Sequence, residues 1–153
     1  MPANDKFKDA MSLVPTSVAI AWTKNNQGEI SGCTISSFIS VSVEKENEAI
    51  AFVLRNDSRT ATTISELEKF KISILSEDQV ELANIFSRGL PIAELNSVIG
   101  TNPTWIYHST CEFTLKLQQK ILLTNSTIFI ADVVSFIARP NLQPLIYSAR
   151  EYL

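Results

Sequence analysis

The chain has 153 residues, of which 45% are hydrophobic and 19% charged, and its formal net charge is −3. This length suits one domain over residues 1–153, and the apolar share excludes intrinsic disorder, because burial can offset chain entropy. The acidic balance gives no reason to expect a nucleic-acid partner, since phosphate backbones are bound through clustered Lys and Arg. No apolar run nears the roughly 18 residues of a membrane-spanning helix. Residues 1–10 lack the basic start and apolar run of a secretory signal, so the expectation is a cytoplasmic protein with no membrane partner.

Phe7, Ala10, Met11 and Val14 recur at helical spacing before Pro15, which predicts a short amphipathic helix. Residues 17–23 are β-branched, small or aromatic and read as a strand, reversed at Asn25, Asn26, Gln27 and Gly28. A second strand starts at Ile30, residues 36–42 continue as a hydroxyl-rich extended stretch, and residues 49–54 form an apolar run suited to a doubly buried strand. Ser58 is placed to N-cap a helix carrying Ala61, Ile64 and Leu67. A strand over 71–75 precedes a capping box at Ser76 and Gln79 and a helix that Gly89 and Pro91 end; residues 90–104 read mainly as loop. Cys111, Phe113, Leu115 and Leu117 alternate with polar residues, predicting a strand with one wet face, and residues 127–137 and 144–147 complete the set.

About seven strands with about three short helices, in no regular alternation, predict a mainly β domain: a closed antiparallel barrel with peripheral helices. The chain has four glycines and no Gly-x-Gly-x-x-Gly, which sets aside a Rossmann dinucleotide site. Cys33 and Cys111 lie in separate strand-like segments and read as buried thiols. With the single histidine, His108, they give no reason to expect a metal site or a hydrolytic triad.

Two stretches carry chemistry. In residues 32–42, hydroxyls at Thr34, Ser36, Ser37, Ser40 and Ser42 can meet the polar edge of a planar heterocycle, and Phe38 can pack against its face; an edge strand with a wetted face is the plain alternative. In residues 55–60, Arg55, Ser58, Arg59 and Thr60 surround a helix N-terminus, whose free N–H groups and partial positive charge suit a phosphate. An ordinary capped helix with solvated arginines is the alternative there.

Taken in order, the segments Pro15-Thr16-Ser17-Val18, Gly32-x-Thr34-x-Ser36-Ser37-Phe38-x-Ser40-Val41-Ser42, Ser58-Arg59-Thr60, Glu77-Asp78-Gln79 and Pro144-Leu145-Ile146-Tyr147 resemble the flavin reductase-like family. That family consists of FMN-binding split β-barrels of Greek-key type, the small reductase components of two-component monooxygenases and their relatives. The resemblance implies Thr34, Ser36, Ser37 and Phe38 beside the flavin ring and ribityl chain, and Arg55, Ser58, Arg59 and Thr60 around the phosphate. It implies FMN as cofactor, with FAD possible, and NAD(P)H as co-substrate delivering hydride. It also implies a homodimer and a monooxygenase that receives reduced flavin. The flavin carries the redox chemistry, so no catalytic side chain is expected. One departure stands out. Where many members read Gly-Asp-His-Thr-Ile-Phe-Ile-Gly, this chain reads Thr124-Asn125-Ser126-Thr127-Ile128-Phe129-Ile130-Ala131, so Ser126 replaces the histidine expected beside the nicotinamide. That departure supports the alternative of a weakly active or non-catalytic flavin-binding or electron-transfer protein.

Overall fold

A computed structural model describes residues 3–89 and 106–153, so the loop expected over 90–104 lies outside the described residues. In chain order the elements are α1 (Ala3–Ser12), β1 (Thr16–Ser17), β2 (Ala19–Lys24), β3 (Ile30–Ile35), β4 (Ile39–Ser42), β5 (Ala49–Arg55), α2 (Arg59–Leu67), β6 (Lys69–Ile74), α3 (Val80–Ser87), β7 (Cys111–Leu122), β8 (Ser126–Ala138), β9 (Ile146–Ser148) and β10 (Glu151–Tyr152). One-turn 3-10 helices occupy Glu77–Gln79 and Ile106–His108. Local chemistry sets several boundaries. The Asn25 side chain accepts from the backbone N–H groups of Gln27 and Glu29, and Gly28 supplies the left-handed residue (φ 79°) that turns β2 into β3. Ser58 caps α2 by accepting from the Ala61 N–H, and the expected capping box of Ser76 and Gln79 is present.

Seven strands form one antiparallel sheet in the order β3-β2-β6-β7-β8-β5-β4, while β1, β9 and β10 form a small second sheet. The edge strands β3 and β4 are consecutive in the chain and joined only by residues 36–38. Such a link spans at most about 14 Å, whereas a flat sheet of this width would hold its edges about 29 Å apart. The sheet therefore rolls into a barrel that is split between β3 and β4. Ser37 sits at the split: its hydroxyl accepts from the Val53 N–H at 2.9 Å and donates to the Val53 carbonyl at 3.3 Å, standing in for a backbone partner where β4 ends.

Strand alternation sends one side chain set into the barrel, where Phe52, Phe70, Ile72, Leu115 and Phe129 pack with Ala61 and Ile64 of α2. The opposite faces of β2 and β3 are covered by α3, whose Leu82, Ala83 and Phe86 meet Val18, Ile20 and Trp22. Gly32 belongs to this second layer for a steric reason. A Cβ there would lie 2.9 Å from both Phe86 Cε1 and Trp22 Cβ. Gly32→Val is therefore expected to cost about 1–3 kcal/mol through overpacking, read as a lower urea midpoint at unchanged slope. An unshifted midpoint would mean that Phe86 yields freely.

The structure departs from the sequence-based expectations in three places. The hydroxyl-rich run is not one strand, because residues 36–38 leave the sheet to make the joint. The polar face of β7 is not uniformly wet: Glu112 is only 3% exposed and bonds Lys71 Nζ at 3.1 Å. The apolar side of α1 does not pack into the barrel, since Phe7, Met11 and Val14 stay exposed. Asp9 to Arg150 and Ser12 to the Ala149 N–H fasten that helix instead. Periodicity reports a helix face but not what covers it.

Candidate functional site

The two nominated stretches come together because β3 ends next to the start of α2. Along β3 successive side chains point to opposite faces, so Cys33 points toward the barrel and α2 while Thr34 points toward α3. Thr34 Oγ1 donates to the Ala83 carbonyl at 2.6 Å, which commits that hydroxyl to holding α3. Ser37 is likewise committed to Val53. Ser36 is exposed and keeps its hydroxyl open among the described residues. Phe38 packs partly into the barrel with its ring centroid 5.4 Å from that of Phe113. Below it opens an apolar cavity of about 310 Å³ lined by Phe38, Ile50, Phe113, Val133 and Phe136, with Ser40 and Ser42 at its polar side.

At the first turn of α2, Ser58 takes the Ala61 N–H and its carbonyl takes that of Thr62. The N–H groups of Arg59 and Thr60, at the positive end of the helix dipole, have no partner among the described residues. Thr60 is buried, and its hydroxyl and that of Ser58 are near the Cys33 thiol. Burial pushes that thiol up from its ordinary value, and the two hydroxyls pull it partly back. Cys33 thus braces the turn from below as a protonated thiol. The guanidinium of Arg59 donates to the Gly89 carbonyl at the end of α3, and Arg55 forms a fork with the exposed Asp57 at 3.1 and 3.2 Å. Two open amides, a capping hydroxyl and the exposed Arg59 guanidinium fit a phosphate, while Arg55 and Asp57 neutralise one another beside them.

Ser126 lies directly across from Arg55 in the β5–β8 ladder, which brings the departing stretch to the edge of the same site. Asn56 is the residue that sequence reasoning missed. Its side chain donates to the Leu123 and Thr124 carbonyls and accepts from the Thr127 hydroxyl, and its N–H donates to Asn125, so it fastens the β7–β8 turn to the turn before α2. An asparagine next to a strand end is too common to signal this. His108 is exposed and lines a different cavity, of about 360 Å³, with Ser76, Asp78, Gln79 and Glu81.

The family described as "Flavin reductase like domain" matches residues 11–153. The NADH-dependent flavin reductase StyB of Pseudomonas fluorescens is 25% identical over 153 residues, covering 95% of this chain and 86% of that protein. Among solved structures, the NADH:FAD oxidoreductase SgcE6 of Streptomyces globisporus C-1027 superposes with a TM-score of 0.86 at 18% identity, over 99% of this chain and 93% of that one. The styrene monooxygenase flavin reductase SMOB of Pseudomonas putida S12 superposes with a TM-score of 0.81 at 22% identity, over 97% and 96% of the two chains. A split barrel with an open helix N-terminus beside its edge, matched by the family along nearly its whole length, makes this chain a member of the flavin reductase-like family.

Proposed function

We propose that this chain is an NAD(P)H:flavin oxidoreductase that holds FMN between the β3–β4 joint and the first turn of α2. The observation that carries the reading is the first turn of α2, where the Arg59 and Thr60 amides and Ser58 lie together, Arg59 is exposed beside them, and the nearby Asp57 is paired with Arg55. Arg55, Ser58, Arg59 and Thr60 hold the phosphate; Ser36, Phe38 and the backbone at Ser37 flank the ring and ribityl chain. Thr34 acts from behind by anchoring α3. Flavin held there would supply the hydride-accepting chemistry toward a reduced nicotinamide. The protein's part is to bind, orient and keep water from the two rings, and no side chain needs to move a proton.

The reduced product passes to an oxygenase, as the name of the similar styrene monooxygenase flavin reductase suggests. We read the chain as one domain working in the cytoplasm; among the described residues no helix is long and apolar enough to cross a membrane. We read the chain as a homodimer, supported by exposed apolar side chains at one end of the barrel: Ile39, Val41 and Val43 of β4 and its following turn and Val134 and Phe136 of β8 are exposed, and Val43 and Phe136 line the cavity under Phe38. Sedimentation at micromolar concentration should show a dimer, and Phe136→Asp should shift it to monomer. A flavin-bound wild-type monomer would overturn this.

Ser126 supplies the test of the reaction. A serine hydroxyl is shorter than an imidazole and needs a bridging water to reach a nicotinamide. The missing contact is worth about 0.5–1.5 kcal/mol, so NAD(P)H oxidation should be weak but measurable. Ser126→His should lower the apparent KM for the nicotinamide by up to about tenfold and leave FMN binding nearly unchanged. Anaerobic stopped-flow mixing, followed by loss of the yellow oxidised flavin, measures both. If neither protein bleaches with millimolar NADH or NADPH while flavin stays bound, the carrier reading replaces the reductase.

A further inference from the structure

At the other end of α2 the outer face of the barrel carries a basic cleft that the flavin chemistry does not use. On the central strands β2, β6 and β7, the outward positions include Trp22 and Lys24, Lys69 and Lys71, and Thr114 and Lys116. The cover provided by α3 stops at Trp22, and beyond it opens a cavity of about 300 Å³ lined by Trp22, Lys24, Lys69, Lys71 and Thr114 among others. The one carboxylate on these three strands, Glu112, is buried against Lys71 and Ser73. Lys24 and Lys69 have no ion pair among the described residues, and Lys69 faces Lys116 directly across the β6–β7 ladder. Glu66 belongs to the lining of a different cleft and Glu68 is exposed outside this one.

Like charges in register destabilise a sheet. Lysines are common on edge strands, where they block unwanted pairing, but β6 and β7 are central. Lys71 has a structural role, pairing with Glu112 and lying over the Trp22 ring, and Lys116 stands opposite Asp132 in the β7–β8 ladder, which leaves Lys24 and Lys69 as the two without an ion pair among the described residues. The cations are all lysines, point charges that suit phosphate oxygens more than the planar fork of a carboxylate. The hollow shape and the volume suit a small molecule rather than a flat protein surface. We infer that this cleft binds a small phosphate-bearing anion through Lys24 and Lys69, with the Thr114 hydroxyl beside them, at a site separate from the flavin seat. The nine residues of α2 separate the two sites by about 13 Å of helix.

Calorimetric titration of flavin-saturated protein with sodium pyrophosphate at low ionic strength tests this, with Arg59→Ala titrated in parallel to remove the flavin phosphate seat. One saturable site should appear in both proteins. Lys69→Gln and Lys24→Gln should each weaken it by about tenfold and leave flavin affinity unchanged. Without pyrophosphate, Lys69→Gln should also raise the thermal midpoint, because the repulsion with Lys116 is gone, and the midpoint should rise less on adding pyrophosphate than in the wild type. No saturable heat, loss of the site on flavin saturation or in Arg59→Ala, or wild-type affinity in both lysine variants would overturn the inference. So would binding of a polyglutamate peptide where pyrophosphate does not bind, which would make the cleft a protein-docking surface.

Discussion

Phe52→Ala should destabilise the protein by about 3–5 kcal/mol, the largest loss expected from a single side chain here. Phe52 is 1% exposed and stacks on Phe129 with centroids 5.2 Å apart and planes within 15°, while Phe70 meets it at 5.4 Å. Truncation removes the transfer energy of the ring, leaves a cavity and deletes two aromatic contacts at once. The surrounding strands are held in a closed barrel and cannot collapse into the space. Urea unfolding should show a large drop in midpoint with little change in slope. A cost below about 1 kcal/mol would mean that the barrel interior repacks around Phe70 and Phe129. Because β5 runs from Phe52 into Arg55, flavin affinity of the variant measured well below its unfolding transition also reports on rigidity. A modest loss there is expected, since the turn before α2 is fastened independently by Asn56.

Arg59→Ala should weaken FMN by about ten- to a hundredfold while changing riboflavin far less, because a charge-assisted hydrogen bond to phosphate contributes about 1.5–3 kcal/mol and riboflavin lacks the phosphate. The structure adds a competing role, since the Arg59 guanidinium also holds the Gly89 carbonyl at the end of α3. Comparing the two ligands separates these roles. Loss of the tether alone would weaken FMN and riboflavin equally, and that result would move the phosphate to another seat. Raising the salt concentration should narrow the difference between wild type and variant for FMN, as the arginine is exposed and screened.

Much of this was legible from local pattern. The Asn25–Gly28 turn, the Ser58 cap and the Ser76 and Gln79 capping box each depend on groups within a few residues of one another, and each formed as expected. The order of motifs from Pro15 to Tyr147 identified the family, because spacing along the chain is itself sequence information. What tertiary structure decided was where each side chain spends its hydrogen bond. Thr34 and Ser36 look equivalent in the sequence, yet the barrel places Ala83 against the first and open solvent at the second. Glu112 reads as a surface residue of a half-wet strand, and only the pairing of β6 with β7 sets Lys71 and Ser73 around it. Ser126 and Arg55 are far apart in the chain and meet only through the β5–β8 register. Contacts of this kind depend on which strands close the barrel and in what register, and that is fixed by burial summed over the whole chain rather than by any one segment.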